Sequence, residues 1–270
     1  MRIPLALAAA LGALALAGAA GATPEKKGPP KPKPPPAPAK KKGPCVGRVT
    51  GPVAGDLVVP PGATCDASGA VVRRRVRVGR NATLTAGGSF RAGGRIDVSP
   101  GATLQLIGTQ LRIGGNVEAR GARKVALIRQ PLAGSRGTIG GSVLLFRTTE
   151  VSVLSLTIGG GVRVEGGGAE GVEVGANRIF RSLGVTRARM LRPSNPRVFS
   201  IHSNIVSRHV NVIQNNATGA IEPLFVGGNR LLNGHLTCRR NVPAPVNGGP
   251  GGTQPNLVLH GRKRGQCTSL

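Results

Sequence analysis

The phrase Gly62-Ala63-Thr64-Cys65 returns as Asn81-Ala82-Thr83-Leu84, as Gly101-Ala102-Thr103-Leu104 and, more loosely, as Gly121-Ala122-Arg123-Lys124. Its alanine therefore stands at positions 63, 82, 102 and 122, with a nearly constant step. A fixed period of this kind indicates one structural unit stacked on copies of itself. The phrase begins with Gly or Asn, the residues that most readily adopt the left-handed backbone conformation. It therefore predicts one tight corner in every unit.

A short alternating strand precedes each corner. The four strands are Leu57-Val58-Val59, Val76-Arg77-Val78, Ile96-Asp97-Val98 and Val117-Glu118-Ala119. Their outer residues are apolar and their middle residues vary, which is typical of strands with one buried face. Two more strand-like segments follow in most units. We therefore predict an all-β, single-stranded parallel β-helix (solenoid) with coils of about 20 residues. In this fold Arg77, Asp97 and Glu118 form an outward row.

Glycine pairs extend the pattern beyond the repeated phrase. They lie at 93/94, 114/115, 140/141, 159/160 and 227/228 and predict further turns. The larger step between the second and third pairs predicts a loop inserted around Pro131 to Arg136. A β-sandwich would not repeat one corner at constant spacing. With 43 glycines and 22 prolines in 270 residues, no long window has helical periodicity.

The two ends of the chain differ in composition from the repeats. Arg2, the apolar run from Ile3 to Ala19 and the small residues Ala20-Gly21-Ala22 predict a signal peptide over 1–22. An uncleaved membrane anchor is the alternative. Residues 23–44 are rich in Pro and Lys and predict a disordered, extended spacer. We expect the β-helix over 45–240, followed by a Pro/Gly-rich tail over 241–270, with no transmembrane span in the mature chain.

Four cysteines in an exported chain predict two disulfides. Cys45 and Cys65 are separated by one coil length, and adjacent coils are about 4.8 Å apart, within the reach of a disulfide. We therefore expect Cys45 to pair with Cys65, which leaves Cys238 to pair with Cys267 and to tie the tail back. The spacings do not fit a zinc site.

Several sequence features suggest a family resemblance. They are the cysteine near the start of the repeats, the segment Gly228-Asn229-Arg230-Leu231-Leu232-Asn233-Gly234-His235-Leu236-Thr237-Cys238, the segment Asn241-Val242-Pro243-Ala244-Pro245, and the closing Gly265-Gln266-Cys267. With these features the chain resembles a group of exported bacterial, actinobacterial-type, Gly-rich β-helix repeat proteins with Cys-capped ends. The resemblance implies architecture and export. A fainter similarity is to bactofilins, polymer-forming β-helices that are usually cytoplasmic and lack such cysteines.

The formal net charge of +27 is the main indication of a partner. A charge of this size attracts anionic polymers of the cell wall or the extracellular space at low salt. The densest cluster of cations consists of Arg73, Arg74, Arg75, Arg77 and Arg80. Solubilising charge is an equally supported interpretation. Because the chain has five Phe and neither Tyr nor Trp, base stacking and specific nucleic-acid binding are not expected.

Catalysis has less support in the sequence. Many β-helices act on acidic polysaccharides, and the only plausible carboxylate pair for such chemistry is Asp97 with Glu118. A surface ladder balanced by Arg77 explains the same residues. His202 and His209 would lie on opposite faces of any continuous strand, and His235 and His260 stand alone in the sequence.

The function expected from these features is a secreted, monomeric, non-catalytic structural or adhesive module of the cell envelope. It would bind anionic polymers through an arginine-rich surface and need no metal or cofactor. The alternatives are a polysaccharide-acting enzyme of the pectin-lyase type and a self-assembling β-helix filament.

Overall fold

The computed structural model describes residues 44–130, 137–190, 199–218, 223–248 and 254–270. The predicted signal peptide and most of the predicted spacer lie outside the described residues, as does the segment Pro131 to Arg136. Within these ranges the regular structure consists of 25 strands in one sheet. The strands pair in parallel and wind around one axis in three faces, so the predicted parallel β-helix is confirmed.

The strands of the three faces alternate along the chain. The first face contains β3 (Leu57–Val59), β6 (Val76–Val78), β8 (Ile96–Val98), β10 (Val117–Arg120), the beginnings of β13 (Val143–Leu154) and β15 (Val162–Gly175), β17 (Leu183–Thr186), β20 (Val210–Ile213), β23 (Leu236–Arg239) and β25 (Lys263–Gly265). The second face contains β1 (Gly47–Arg48), β4 (Thr64–Asp66), the beginnings of β7 (Thr83–Ala92) and β9 (Thr103–Ile113), β11 (Lys124–Arg129), the ends of β13 and β15, β18 (Phe199–His202) and β21 (Phe225–Gly227). The third face contains β2 (Gly51–Val53), β5 (Ala70–Val72), the ends of β7 and β9, β12 (Gly137–Ile139), β14 (Leu156–Ile158), β16 (Arg178–Ile179), β19 (Ile205–Val206), β22 (Arg230–Asn233) and β24 (Leu257–His260).

The register of the first face confirms the predicted rows. Val76 lies opposite Leu57 and Ile96, and Asp97 lies opposite Arg77 and Glu118. Inward residues such as these are buried, and together they form one continuous apolar core. Burial of each such Val, Leu or Ile side chain contributes about 1.5–3 kcal/mol.

The coils are longer in the second half of the chain than the sequence predicted. The inward row of the first face passes through positions 57, 76, 96, 117, 143, 162, 183, 210, 236 and 263. The predicted coil length therefore holds for the first coils, and the last three coils are each longer. The coil between Val117 and Val143 is also longer. There the pairing of Arg129 with Gly108 and of Thr138 with Arg112 places the additional residues between Arg129 and Thr138.

Two kinds of corner hold the coils in register. The phrase begins in left-handed conformation, as predicted, with φ of 71° at Gly62, 55° at Asn81 and 70° at Gly101. The glycine pairs up to 159/160 form a second corner, where coils approach too closely for a side chain. At Gly114, for example, a Cβ atom would lie 2.2 Å from the carbonyl oxygen of Gly93. The pair 227/228 belongs to a different corner, after β21.

Buried asparagines support the longer coils. Asn177, Asn204, Asn229 and Asn256 form one ladder, in which each Nδ2 donates to the Oδ1 of the next member at 2.9–3.0 Å. A second ladder contains Asn215, Asn241 and Gln266. The Nδ2 groups also donate to backbone carbonyls of the preceding coils. These bonds satisfy polar groups that the corners would otherwise leave buried and unpaired.

Both predicted disulfides are present. The Cα atoms of Cys45 and Cys65 are 5.7 Å apart, and those of Cys238 and Cys267 are 5.1 Å apart. The strand partner of Cys65 is Gly47 rather than Cys45, so the first disulfide joins the coils slightly out of the predicted register.

Described residues after position 240 also belong to the solenoid. Strand β24 pairs with β22, and β25 pairs with β23, so that residues 257–265 form a further parallel turn. The β-helix therefore continues beyond the predicted boundary at residue 240, and the segment that we expected to be a tail contributes its last described coil.

Candidate anion-binding surface

The predicted cluster of five arginines is divided among three places. Arg73, Arg74 and Arg75 occupy the turn between the third and first faces and are not in a strand. Arg77 lies in the outward row of the first face, with its Nη2 3.8 Å from Asp56 Oδ2, and Arg80 lies at the following corner. The first three line a shallow cleft of about 610 Å³ together with Arg95, Asp56, Gly93 and Gly94. The structure thus brings together three of the five.

The predicted carboxylate pair lies in adjacent coils, and each member has its own arginine. Asp97 and Glu118 are register partners on the first face. Arg95 Nε is 3.0 Å from Asp97 Oδ2, and Arg120 Nη2 is 2.9 Å from Glu118 Oε1. Arg77, which we expected to balance Asp97, contacts Asp56 instead. Each carboxylate is therefore engaged by a guanidinium close to it in sequence.

Most described carboxylates form an ion pair with a nearby Lys or Arg. These carboxylates are Asp56, Asp66, Asp97, Glu118, Glu150 and Glu165. Glu173 Oε1 lies 3.5 Å from His202 Nε2. Lys and Arg far outnumber carboxylates, with 37 Lys and Arg against ten Asp and Glu in the whole chain, so the carboxylates are too few to pair one to one with the cations.

A groove on the first face gathers several arginines. It has a volume of about 650 Å³ and crosses the outward row formed by Arg163, Gly184 and Asn211 in successive coils. Gly184 forms the floor, because a Cβ atom at this position would meet nothing within 4 Å. We call this depression the arginine groove, after its lining residues Arg163, Arg181, Arg187 and Arg208.

The arginine groove has an excess of positive charge. Its lining contains one carboxylate, Glu165, which is contacted by Arg163 and, at 3.5 Å, by Arg187. Arg181 and Arg208 occupy the same corner position in adjacent coils, and both side chains are exposed. Neither forms an ion pair with a carboxylate in the described part of the chain. Two guanidinium groups are thus free to bind an external anion.

A second, wider groove lies on the other side of Glu165. Its volume is about 1030 Å³, and Arg120, Arg147, Arg187 and Arg189 contribute to its lining. It shares Glu165 and Arg187 with the arginine groove, so one ion-paired ridge separates the two depressions. The positive surface therefore continues around the corner between the first and second faces.

Two histidines that are far apart in the sequence come together in the structure. The rings of His209 and His235 are 5.5 Å apart at an interplanar angle of 35°. The two histidines are 26 residues apart in sequence, which is the length of the coil from Val210 to Leu236. The period of about 20 residues in the first coils therefore did not predict that they would be neighbours. The pKa of His235 is lowered from 6.5, first by desolvation and then by the charges of Arg264, His209 and Arg262.

Comparison of the chain with protein-family models, with curated proteins and with solved structures gives no match. In the ranges described above, no helix combines the length and apolar character needed to cross a bilayer. No three His, Cys, Asp or Glu side chains among the described residues converge as metal ligands would. The two disulfides are typical of proteins from an oxidising, extracellular environment.

Proposed function

We propose that this chain is a secreted, non-catalytic module of the cell envelope that holds anionic polymers in the arginine groove. The observation that carries the proposal is the exposed pair Arg181 and Arg208, which lies beside an open glycine floor and lacks a carboxylate partner among the described residues. Guanidinium groups suit this role because they offer several donors in a planar fork to carboxylate, phosphate or sulfate.

The solenoid suits a polymer better than a small molecule. Adjacent coils repeat at about 4.8 Å, so guanidinium groups in one corner column form a row along the axis. A linear polyanion lying along the axis would meet Arg181 and Arg208 in adjacent coils, and the same corner position is Gly160 in the coil before them and Gly234 in the coil after them. Binding of this kind is electrostatic, and it weakens as salt screens the charges. The lack of Tyr and Trp gives no support to recognition by stacking.

Support for a non-catalytic role comes from the carboxylates. Asp97 and Glu118, the pair on which a polysaccharide-acting enzyme would depend, are both engaged by neighbouring arginines. Support for a monomer rather than a filament comes from the first coil. Its edge strand β2 has Pro52 at its centre, and proline cannot donate a hydrogen bond to an added strand. Secretion is supported by the disulfides and by the predicted signal peptide.

The test uses two changes that act through different physics. Gly184→Leu fills the floor of the groove without removing charge, and Arg181→Gln/Arg208→Gln removes two charges without filling space. Exposed ion pairs contribute roughly 0.2–1 kcal/mol each, so the double variant should bind dextran sulfate or polygalacturonate roughly two- to thirtyfold more weakly. Gly184→Leu should also weaken binding, because the polymer is excluded from the floor.

The matched control is Arg112→Gln/Arg230→Gln, which removes two exposed arginines from the third face. Affinity is measured by isothermal titration calorimetry at low and high salt. The control should bind like the unchanged chain at each salt concentration. If it loses as much affinity as the groove variant, binding is due to diffuse charge. If Gly184→Leu has no effect, the polymer does not occupy the groove.

A further inference from the structure

Beyond the arginine groove, toward the last coils, the corner position that follows Arg208 in sequence carries polar side chains in successive turns. His209, His235 and Arg262 occupy equivalent positions, as shown by the bonds from Val210 N to His235 O and from Leu236 N to Arg262 O. Arg264 projects from the adjacent outward row, opposite Thr237. We call His209, His235 and Arg264 the histidine clamp.

Backbone hydrogen bonds fix the tautomer of both histidines. The backbone N–H of His235 donates to His209 Nδ1 at 3.1 Å, and the backbone N–H of Arg262 donates to His235 Nδ1 at 3.0 Å. A ring nitrogen that accepts a hydrogen bond carries a lone pair and no proton. The proton of each neutral ring must therefore be on Nε2, and this nitrogen can then only donate.

The fixed tautomer creates a conflict at His235. Arg264 Nη2 lies 2.9 Å from His235 Nε2. The guanidinium of Arg264 has no atom that can accept a hydrogen bond. Nε2 of His235 cannot accept one either, because in this tautomer it carries the proton. Two donors thus face each other at hydrogen-bonding distance with no acceptor between them. A pair of converging donors gains hydrogen bonds only from an external acceptor.

We propose that the histidine clamp binds a single phosphate or sulfate group. One oxygen of such an anion accepts from His235 Nε2–H and Arg264 together, and its other oxygens remain available to His209 Nε2–H, one coil away. The negative charge also offsets the mutual repulsion of Arg262 and Arg264, which are both exposed. The site requires a single anion rather than a polymer, so it does not rest on the proposed function of the arginine groove.

Protonation of His235 is coupled to occupancy of this site. Desolvation, and the positive charges of Arg264, His209 and Arg262, lower its pKa in the unliganded chain. Protonation adds a proton to Nδ1 and so breaks the hydrogen bond from the backbone N–H of Arg262. A bound dianion favours the imidazolium by its charge and therefore raises the pKa relative to the unliganded chain. A purely structural histidine ladder would not respond to sulfate in this way, which provides a specific signal for binding.

The experiment is an NMR titration of the full chain with sodium sulfate. The chain has four histidines, so their ring Cε1–H signals are few. We expect the His235 and His209 signals to shift and saturate with sulfate, and the midpoint of the His235 pH titration to move upward. Sodium chloride at the same ionic strength should produce neither effect. A linear response equal to that of chloride would overturn the proposal.

Variants and other anions test the assignment. Arg264→Gln should abolish the saturable response, whereas the control Arg230→Gln on the third face should retain it. Retention of the response by Arg264→Gln would refute the clamp. Inorganic phosphate tested in parallel shows which of the two groups binds more tightly. Sodium acetate that binds as tightly as both would refute the preference for a tetrahedral anion.

Discussion

Substitution of Asn204 by alanine tests whether the buried asparagine ladder stabilises the longer coils. Asn204 is fully buried, with an exposed fraction of 0%. Its Nδ2 donates to Val174 O at 2.9 Å and to Asn229 Oδ1 at 2.9 Å. Its Oδ1 accepts from the backbone N–H of Asn177 at 3.1 Å and from Asn177 Nδ2 at 3.0 Å. Alanine removes all four hydrogen bonds.

The expected loss of stability follows from the groups left behind. The backbone N–H of Asn177 and the carbonyl of Val174 become buried groups without these partners. Each unsatisfied buried group costs about 1–3 kcal/mol. Asn177 and Asn229 keep other partners of their own ladder, so we count only the two backbone groups. Asn204→Ala should therefore lower the free energy of unfolding by about 2–6 kcal/mol.

Circular dichroism is the appropriate assay, because the chain lacks Trp and Tyr and has no useful intrinsic fluorescence. Urea unfolding of the variant is compared with that of the unchanged chain and of Asn233→Ala, which changes an exposed asparagine of β22. Asn233→Ala should stay within about 0.5 kcal/mol of the unchanged chain. If Asn204→Ala is no less stable than Asn233→Ala, the ladder does not contribute as we reason.

Two further predictions concern a corner and a charge. Gly114→Ala should destabilise the coil stack, because its Cβ would lie 2.2 Å from a carbonyl oxygen of the preceding coil. Gly184→Ala, at an open position, should leave the urea midpoint nearly unchanged, and equal midpoints for the two variants would contradict the close packing of the corner. His235 should titrate below 6.5, the value from which its pKa is lowered. The unfolded chain then binds the proton first, so this residue reduces stability as pH falls through that range. Arg264→Gln removes one of the charges that lower the pKa of His235, so the titration midpoint of His235 measured by NMR should rise. Desolvation should still keep the midpoint below 6.5. An unchanged midpoint would show that Arg264 does not act on the ring.

The corners show why the sequence predicted the first coils better than the later ones. Gly62, Asn81 and Gly101 have the conformational freedom that the left-handed position requires, so the corner is visible as a repeated phrase. In later coils the same position is occupied by Arg147 with φ of 52° and by Arg187 with φ of 55°. These residues adopt the conformation at a cost of about 1–2 kcal/mol, which the surrounding coils offset. Their sequence therefore gives no local sign of the turn.

The longer coils had a different signal that sequence reasoning missed. Asn177, Asn204, Asn229 and Asn256 recur at steps of 27, 25 and 27 along the chain. Asparagines that hydrogen-bond to one another along the axis must be one coil length apart in sequence. The spacing of these four residues therefore indicates that the later coils are longer. The phrase in the first coils could not report it, because it is absent from the later coils, where the added residues lie between Thr186 and Phe199 and between Ile213 and Phe225.

The arginine groove could not be predicted from local clusters. Arg73, Arg74 and Arg75 are adjacent in sequence, and the structure keeps them together in one turn. Arg181 and Arg208, in contrast, are distant in sequence and become neighbours because one coil separates them. The floor at Gly184 is defined by a missing side chain, and a single glycine among 43 carries no such information.

The asparagine ladders and the anion-binding surface belong to the same coils, and this has a physical reason. Arg181 and Arg208 are like charges on adjacent coils, and their repulsion favours separation of the coils. Buried bonds between the coils resist that separation: Asn215 Oδ1 accepts from Ala188 N at 3.0 Å, next to Arg187, and Asn215 Nδ2 donates to Asn241 Oδ1 at 2.9 Å. A scaffold fixed in this way holds unpaired cations close together before any anion arrives, so less binding free energy is spent on ordering them.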